Sequence, residues 1–593
     1  MGARLRVAVG VVLAVLLSMV AAWSSGTTAI AGGRAQAVKI ATFAFSGVGA
    51  PAGSSAQIGP AHQPMNKTLR HTAASQVPRV AGASVLSSTG GASGFNGIDD
   101  AQQATAGTGA WAGTQSDVSP PDQGLCVGQG DVLEVVNTAV RAYSETGAPL
   151  TPTVPLNQFA GLPPEASPGP GGTFTFGPSV FDPRCYYDPD SARWFLSFGE
   201  TAVDPTTGAL GSTSAQYIAV SQTADPAGAW SIYEFPTTND GSAGTPSDPG
   251  CPCFGDQPLL GADANGIYIA SNEYSITGPA YNGAQVYALS KSGLESGTNT
   301  AVTELQPGLD PTVTSALGGV AFSLQPATSP AAGYESSAGG TEYLQSALDF
   351  GAAPSLGTRA DRIAVWSLTD TSSLDTASPS LALHVTVVPS EEYTQPPNAA
   401  QARGTLVTNK HLPLLDANDD RMNQVVYADG HLWSALNTAV KTPQGPTLAG
   451  IAWFATTPST ATSGTLSASL AGQGYLAVNK EDVIFPSIGV TAAGKAVMAF
   501  TLAGPDYHPS AAWAPLSLSA GAGPIYIAAA GVGAGDDFTA LKAYGGSGSI
   551  RWGDYTAAVS DAAGNVWMGA EYISGVERTP FADWATRISE VTP

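Results

Sequence analysis

Two stretches of the chain carry acids at the two ends of the same pattern. FGDQPLLGADANGIYIASNEYS starts at Phe254, and RWGDYTAAVSDAAGNVWMGAEYI starts at Arg551. Both read Gly-Asp, an apolar stretch, a turn rich in Asp and Gly, and an alternating strand that ends in Glu-Tyr. Alternating strands on both sides of such a turn predict a β-hairpin. Each hairpin then carries one carboxylate in each strand: Asp256 and Glu273, then Asp554 and Glu571.

The hairpin register predicts that the two acids of each stretch face each other. Counting outward from the centre of ADANG places Asp256 opposite Glu273. The same count around the last turn places Asp554 opposite Glu571. Facing residues have Cβ atoms about 4.5–5.5 Å apart, and like charges so close destabilise a sheet. We therefore expect an arginine, a cation or a retained proton to compensate each pair.

Aspartates recur at one position of a longer repeat. Four copies of the pattern have an aspartate ten residues before the turn, namely Asp182, Asp256, Asp420 and Asp554. Asp122 lies close to that position in a further copy. Equal positions in equivalent sheets predict a ring of carboxylates at one mouth of a shared channel. The candidate binding residues are therefore Asp182, Asp256, Glu273, Asp420, Asp554 and Glu571.

Two interpretations of these carboxylates are a structural ion pair and a catalytic pair. Three of the aspartates have an arginine within three residues, the pairs being Asp182 with Arg184, Asp420 with Arg421, and Asp554 with Arg551. These pairs favour a structural role. Asp256 has no basic residue near it in PGCPCFGDQPLL, so Asp256 and Glu273 are the catalytic candidates if the protein is an enzyme. Two carboxyl groups about 5–5.5 Å apart suit retaining glycoside hydrolysis, with one as the acid and one as the nucleophile.

A cation is the third interpretation. Ca²⁺ takes about six to eight oxygen ligands, which carboxylates and turn carbonyls supply. In DANDDR, Asp416, Asn418 and Asp420 repeat the opening spacing of a calcium-binding loop. Arg421 stands where that loop has Gly, and Tyr427 where it has Glu, so the match is incomplete. Ca²⁺ is the cofactor we expect if one is bound at all.

The turn-and-strand pattern occurs seven times. Aligned on the residue that closes the turn, the copies lie at Gly130, Ala192, Gly266, Gly340, Gly430, Gly494 and Gly564. Most copies are followed by an apolar strand that ends in Ser or Thr, such as QYIAVSQTAD and QVYALSKSG. Each copy thus holds at least three strands and has length for a fourth. Such sheets bury both faces only when packed around an axis, which predicts an all-β, seven-bladed β-propeller, with six or eight blades as alternatives.

Several stretches together resemble a group of secreted bacterial β-propeller proteins of unassigned function. The stretches are VGQGDVLEVVNTAVRAYSETG, YYDPDSARWFLS, AVSQTADPAGAWSIYEF, ADANGIYIASNEYS and RWGDYTAAVSDAAGNVW. DAAGNVWMGAEY is also similar to turn–strand units of periplasmic sensor propellers and of propeller lyases. The resemblance covers the chain from Ser119 to Glu590. It implies a propeller fold and export, and it implies no particular reaction.

The N-terminal residues predict export. Arg4 and Arg6 precede an apolar run from Val7 to Ala22, which is typical of a secretory signal peptide and is assigned here to residues 1–26. An uncleaved membrane anchor is the alternative, since the run is near the short limit for a spanning helix. Residues 27–115 are rich in Ala, Gly, Ser and Thr, which predicts a disordered leader before a propeller over residues 116–593.

Composition and missing motifs argue against several functions. Acids outnumber bases by 46 to 23, so a phosphate backbone would be repelled and nucleic acid is not an expected partner. The chain has no HExxH spacing, no G-x-S-x-G and no P-loop, which disfavours the corresponding metalloprotease, esterase and nucleotide-dependent classes.

Four cysteines lie before the turn in the first three copies: Cys126, Cys185, Cys251 and Cys253. Export favours disulfides, and four cysteines allow three pairings. A bridge between Cys251 and Cys253 would close a very small ring, so we expect each of them to pair with Cys126 or Cys185. A four-thiolate zinc site is the alternative.

These observations predict an exported, monomeric propeller that is secreted or held at the cell surface. It would bind an extracellular glycan, a protein or a cation through one face of its central channel. The alternative is an extracellular carbohydrate-active hydrolase or lyase that uses a cross-strand carboxylate pair. After removal of the signal peptide we expect no membrane span.

Overall fold

The computed structural model describes residues 25–28, 35–48, 77–348, 360–403, 412–443, 445–546, 548–575 and 579–593. Within these residues the main strands pair into antiparallel units of four strands, numbered here one to seven along the chain. The predicted signal peptide lies outside the described residues except for its last two positions.

Units one to four follow each other along the chain. Unit one contains Gly124–Gly128, Asp131–Val136, Ala139–Ser144 and Val154–Pro155. Unit two contains Ser179–Asp188, Arg193–Val203, Leu210–Ser221 and Ala229–Pro236. Unit three contains Cys253–Ala262, Gly266–Ser275, Tyr281–Ser290 and Thr300–Leu305. Unit four contains Gln325–Thr328, Thr341–Ser346, Ala360–Thr369 and Ala382–Tyr393.

Units five to seven continue in the same way, and the last unit takes its fourth strand from far upstream. Unit five contains Met422–Ala428, His431–Lys441, Thr447–Thr460 and Leu466–Leu476. Unit six contains Asp482–Val490, Ala496–Gly504, Tyr507–Ser517 and Ile525–Ala529. Unit seven contains Ala557–Ser560, Val566–Tyr572, Ala585–Val591 and Ser93–Asp99.

Further short strands and helices lie between or beside these units. The further strands are Ser25–Thr28, Gln36–Ala44, Val85–Leu86, Ala166–Pro168, Phe174–Phe176, Leu414–Leu415, Gly521–Ala522 and Ser549–Ile550. The α-helices are Asp100–Ala104, Leu156–Ala160, Lys291–Glu295 and Pro311–Leu317. The 3₁₀ helices are Phe45–Gly47, Gly109–Trp111, Pro170–Gly172, Pro330–Ala332, Ser337–Gly339, Thr371–Asp375, Phe538–Ala540 and Lys542–Tyr544. Within the described part of the chain, none of the helices has the length and apolarity needed to cross a membrane.

The repeated turn closes the first hairpin of every unit. Each of the seven aligned turn residues lies at, or within two residues before, the start of the second strand. Gly430 and Gly564 show why glycine is used there, since their φ angles of 74° and 86° are reached by glycine without strain. The QYIAVSQTAD and QVYALSKSG motifs form third strands, as their place after the turn predicted.

The strands bury both faces because each unit is covered by a neighbour on either side. In unit three, Ile267 and Ile269 pack in a cluster with unit two. The intervening Tyr268 and Ala270 pack in a different cluster with unit four. Each large apolar side chain buried in this way contributes about 1.5–3 kcal/mol. Because side chains alternate between the two faces of a strand, each unit packs against both the unit before it and the unit after it.

The units form a closed ring. The first strand of each unit contacts the first strand of the next, and the first strand of unit seven contacts that of unit one. First-strand residues of all the units line one central cavity. Radial sheets around a shared channel define a β-propeller, so the predicted all-β propeller class is confirmed. The blade count of seven stays a prediction from the sequence.

Two described segments correct the prediction of a disordered leader over residues 27–115. Gln36–Ala44 pairs with the outer strands of units two and three and joins their sheets. Ser93–Asp99 pairs with Ala585–Val591 as the outer strand of unit seven, so the propeller does not begin at residue 116. Composition gives no sign of this, because these strands gain backbone hydrogen bonds at sheet edges that other parts of the chain supply.

We expect Ile98→Ala to destabilise the protein by about 2–4 kcal/mol, since it leaves a cavity in a fully buried position. Ile98 lies in the strand that completes unit seven and packs with Val136, Ala139 and Trp584. Urea unfolding followed by tryptophan fluorescence measures the change. Ser93→Ala, at an exposed position of the same strand, should change stability by less than about 0.5 kcal/mol. Equal stability of Ile98→Ala and the parent would show that this strand does not close the ring.

Candidate functional site

The first strands are distorted where the candidate aspartates lie. Pairing between first and second strands shifts register in units two, three, five and six. In unit two the shift lies between Phe181 and Arg184 and spans Asp182, whose φ is 51°. In unit six Phe485 has a φ of 56° at the equivalent shift. Such φ values are uncommon for residues other than glycine, so other contacts must hold these bulges.

A buried asparagine from the preceding unit holds the distorted residue at three junctions. The backbone N–H of Asp182 donates to the Oδ1 atom of Asn137 at 2.9 Å. Ser323 N–H donates to Asn272 at 2.9 Å, and Phe485 N–H donates to Asn437 at 2.7 Å. We call these three bonds the asparagine latches. Each one ties the channel end of a first strand to the unit before it.

The observed strand register makes the predicted facing pairs wrong. In unit three, Asp256 lies opposite Asn272, and Glu273 lies opposite Gly255. The register shift between Asp256 and Leu259 inserts an extra residue, and a shift of one residue turns a side chain to the other face of the sheet. In unit seven the ladder begins with Ala557 opposite Gly569, so Asp554 lies outside it.

Three carboxylates from units one, two and seven instead come together. One oxygen from each of Asp122, Asp182 and Asp554 lies within 4.8 Å of the others. Asp122 accepts from Asn137 Nδ2 at 2.6 Å and from the backbone N–H of Asp554 at 2.6 Å. We call Asp122, Asp182 and Asp554 the carboxylate cluster. These three aspartates come from consecutive units of the ring, and a full ring of aspartates at one channel mouth stays a prediction.

Burial and mutual repulsion raise the pKa values of the aspartates in this region and so favour their protonated forms. Burial, followed by the charge of Asp554, raises the pKa of Asp182 to about 6. Burial, followed by the charges of Asp554 and Asp182, raises the pKa of Asp122 well above its ordinary value. Burial, followed by the charge of Asp182, raises the pKa of Asp256 to about 7. A retained proton is therefore one of the expected compensations, and Ca²⁺ binding stays a prediction.

The nearby arginines do not all pair with the aspartates that are their neighbours in the sequence. Arg551 forms an ion pair with Asp554 at 3.0 Å, as its spacing indicated. Arg421 pairs with Asp419 at 2.6 Å, and it also donates to Gln257 in unit three, beside Asp256. An arginine from unit five thus reaches Asp256, which the local sequence alone could not show.

The remaining candidate site residues form hydrogen bonds with nearby backbone groups. Asp416 accepts from the backbone N–H of Asn418 at 3.1 Å, which is an ordinary turn contact. The residues of the predicted calcium loop are in neither of the metal-compatible His, Cys, Asp and Glu groups found among the described residues. Glu571 is buried and accepts from the backbone N–H of Gly553 at 2.7 Å.

Arg184 marks the inner end of a central cavity of about 510 Å³. Its guanidinium carbon lies 3.2 Å from the centre of the Tyr555 ring, a cation–π contact, and Tyr555 donates its hydroxyl hydrogen to the Pro183 carbonyl at 2.8 Å. The Nε and Nη2 atoms of Arg184 are buried and have no hydrogen-bond acceptor. Burial lowers the pKa of Arg184, although the carboxylate cluster favours its charged form.

The rest of the cavity is a mixed surface that opens at the first-hairpin turns. Gln129 and Pro330 lie in the turn region, with Glu145 and Asp561 as acids at the same end. Val127, Leu260 and Val426 give apolar walls, and Gln325 and Gln424 give amides near the Arg184 end. The cavity therefore offers apolar surface, amides and the cation of Arg184.

The cysteines pair differently from the prediction. Cys126 of unit one bonds Cys185 of unit two, with Cα atoms 5.7 Å apart. Cys251 bonds Cys253, with Cα atoms 4.5 Å apart, so both distances are in the normal range for disulfides. The expected cross-pairing is wrong because Cys126 and Cys185 lie on adjacent first strands and reach each other. All four thiols are consumed, which excludes the four-thiolate zinc site.

Sequence reasoning missed the asparagine latches and the role of Arg184. A signal for the latches exists, because Asn137, Asn272 and Asn437 each follow the turn residue of their copy by six or seven positions. The stacking of Arg184 on Tyr555 joins units two and seven. No local pattern indicates such a contact.

The strand pairing and the central cavity define a β-propeller with a ligand-sized channel. No protein-family model matches the chain, and no curated protein matches it in sequence. A protein of unknown function from Dyadobacter fermentans is similar over 70% of this chain and 94% of its own, with 12% identity and a TM-score of 0.31.

Two carbohydrate-active enzymes are also among the similar structures. Trypanosoma rangeli sialidase is 11% identical over 72% of this chain and 57% of its own, with a TM-score of 0.30. A GH43 endo-arabinanase from Bacillus licheniformis is 11% identical over 64% of this chain and 88% of its own, with a TM-score of 0.23. At these scores the likenesses carry no argument about this chain.

Between pH 4 and pH 8 we expect the free energy of unfolding to fall less for Asp182→Asn than for the parent protein. The pKa of Asp182 is raised on folding, so its stabilising contribution is full below the ordinary value of 3.8 and is lost as pH rises through about 6. An asparagine does not titrate, which should reduce the loss by about 1–3 kcal/mol. Urea midpoints at both pH values measure the difference. Asp190→Asn at an exposed position is the control and should follow the parent, whereas parallel curves for Asp182→Asn would contradict the assignment.

Proposed function

We propose that this protein is a binding module that holds an oxygen-rich ligand, such as one or two sugar residues of an extracellular glycan, in its central channel. The observation that carries the proposal is the cavity of about 510 Å³ lined by the half-buried Arg184, whose guanidinium brings a positive charge to the channel. A hydrogen bond from a charged donor to a ligand oxygen is worth about 1.5–3 kcal/mol.

The size and lining of the channel support a small ligand. A volume of about 510 Å³ falls in the usual range for small-molecule sites, about 300–1,000 Å³. Apolar walls with a few polar groups suit a sugar ring, which presents C–H faces and hydroxyl edges. Glu145 and Asp561 at the open end would repel polyanions, which favours a neutral or weakly acidic glycan over a nucleic acid.

We further propose a secreted or cell-surface location. The four cysteines form two disulfides, which persist in oxidising compartments. This supports the export predicted from Arg4, Arg6 and the apolar run that follows them.

The alternative of a carbohydrate-active hydrolase or lyase is less well supported. Its proposed residues, Asp256 and Glu273, do not face each other. The Glu273 carboxylate also accepts from the side-chain amides of Asn239 at 2.6 Å and Asn282 at 2.7 Å. A carboxyl group held in this way by protein amides is poorly placed to act on a glycosidic bond.

A glycan array probed with the exported part of the chain tests the proposal, followed by calorimetry on the glycans that bind. We expect Arg184→Gln to weaken binding about 10- to 100-fold, because a hydrogen bond to a charged donor is worth about 1.5–3 kcal/mol. Arg193→Gln in the second strand of the same unit does not line the channel and should bind as the parent does. Circular dichroism shows whether each variant is folded.

Two outcomes would contradict the proposal. One is an array on which no glycan binds the folded parent. The other is equal affinity of the parent and folded Arg184→Gln for every glycan that binds. Release of sugar from a bound glycan would instead support the hydrolase alternative.

A further inference from the structure

The disulfide between Cys251 and Cys253 has features that a purely structural bridge does not need. It joins residues only two positions apart, whereas the bridge between Cys126 and Cys185 spans 59 positions and connects two units. A cross-link over so short a segment removes little freedom from the unfolded chain. Its contribution to stability is therefore small beside that of the longer bridge.

A carboxyl group lies beside the two sulfur atoms. One carboxyl oxygen of Glu273 and both Sγ atoms lie within 4.8 Å of one another. The Asn282 Nδ2 atom is 3.8 Å from each sulfur and donates to Glu273 Oε2 at 2.7 Å, so it fixes the carboxyl group next to the bridge. Glu273 is 1% exposed. The bridge is uncharged, so it offers no compensation for a buried carboxylate.

Further acids surround Glu273 and favour its protonated form. Asn239 Nδ2 lies 2.6 Å from Glu273, 3.2 Å from Asp248 and 2.8 Å from Glu304. Burial, followed by the charge of Asp248, raises the pKa of Glu273 to about 8. Burial also raises the pKa of Glu304 to about 7. Tyr287 is the other titratable group facing this cluster.

The two cysteine residues differ in exposure. Cys251 is partly exposed, whereas Cys253 is fully buried at the start of the first strand of unit three. An incoming thiolate can therefore reach Cys251, and the thiolate released by its attack is that of Cys253, beside Glu273. Thiol–disulfide exchange needs this combination of an accessible sulfur and a stabilised leaving group.

We propose that Cys251 and Cys253 form a thiol–disulfide exchange centre in which Glu273 supplies the proton to the leaving sulfur of Cys253. A thiolate of a small molecule or of another protein attacks Cys251 Sγ, forms a mixed disulfide, and breaks the bond to Cys253 Sγ. The Glu273 carboxyl proton passes to Cys253. A second thiolate attacks the incoming sulfur and releases Cys251 as a thiolate. Cys251 and Glu273 then take up from solvent the two protons that the external thiols lost on ionising. Two external thiols thus become one disulfide, and the protein disulfide becomes two thiols.

Graded reduction of the native full chain with dithiothreitol tests the exchange, using acid quenching, alkylation and peptide mass spectrometry. We expect the Cys251–Cys253 bridge to open at concentrations that leave Cys126–Cys185 closed and the fold intact by circular dichroism. Opening of both bridges together, or opening only on unfolding, would overturn the proposal.

Single-cysteine variants test which sulfur is attacked. Cys253→Ser incubated with glutathione disulfide, or in a second arm with a disulfide-linked unfolded peptide, should form a mixed disulfide on Cys251. Folded Cys251→Ser should leave the buried Cys253 unmodified. The two arms show whether small or protein thiols are accepted. Equal labelling of the two variants in both arms would contradict attack at Cys251.

The role of Glu273 is tested by rate and pH. We expect Glu273→Gln to slow opening by dithiothreitol about 10-fold or more at pH 7. The parent rate should level off near pH 8 as Glu273 loses its proton, whereas the variant rate should keep rising with the thiolate fraction. Asp190→Asn, at an exposed position outside this group of acids, is the control and should keep the parent profile. Identical pH profiles for all three proteins would exclude proton transfer from Glu273.

Discussion

A hydrogen bond between a buried asparagine and the backbone of the next unit is the constraint on which the site depends. At three junctions this latch holds a residue at positive φ, in or just before a first strand, where a side chain other than glycine is strained. In units two and six the latched residue lies at a register shift of the first strand. Asp182 is one of the residues held in this way, so the position of the carboxylate cluster follows from the position of Asn137 in the preceding unit.

The same constraint separates two regions of the ring centre with different chemistry. On one side of the contact between Arg184 and Tyr555 lies the carboxylate cluster, whose charges are reduced by retained protons and by Arg551. On the other side lies the channel cavity, with apolar walls and with Arg184 in its lining. A guanidinium shared between buried acids and an apolar cavity remains charged. None of the three acids of the carboxylate cluster lines the cavity, so Arg184 is the charged group between them and the channel.

Ring closure depends on a segment whose composition predicted disorder. The segment containing Ser93–Asp99 is rich in small residues, yet it completes unit seven and brings Ile98 against Val136 and Trp584. A radial assembly leaves only short, protected edges once the last sheet is full, and a strand from the opposite end of the chain makes the joint resist opening from either terminus. The disulfide between Cys126 and Cys185 adds a covalent link between units one and two, next to this joint.

The sequence by itself determined the all-β propeller class, the seven first hairpins and the third strands, because turn residues and alternating strands are local signals that neighbours do not override. It also indicated that aspartates converge, since equal offsets in equivalent sheets give equal heights. Only the tertiary structure decided that Asp256 lies opposite Asn272, that Arg421 of unit five reaches unit three, and that Cys251 bonds Cys253. A bulge changes the facing of a side chain through one inserted residue held by a partner far away in the chain. No count along a single strand can therefore give the register.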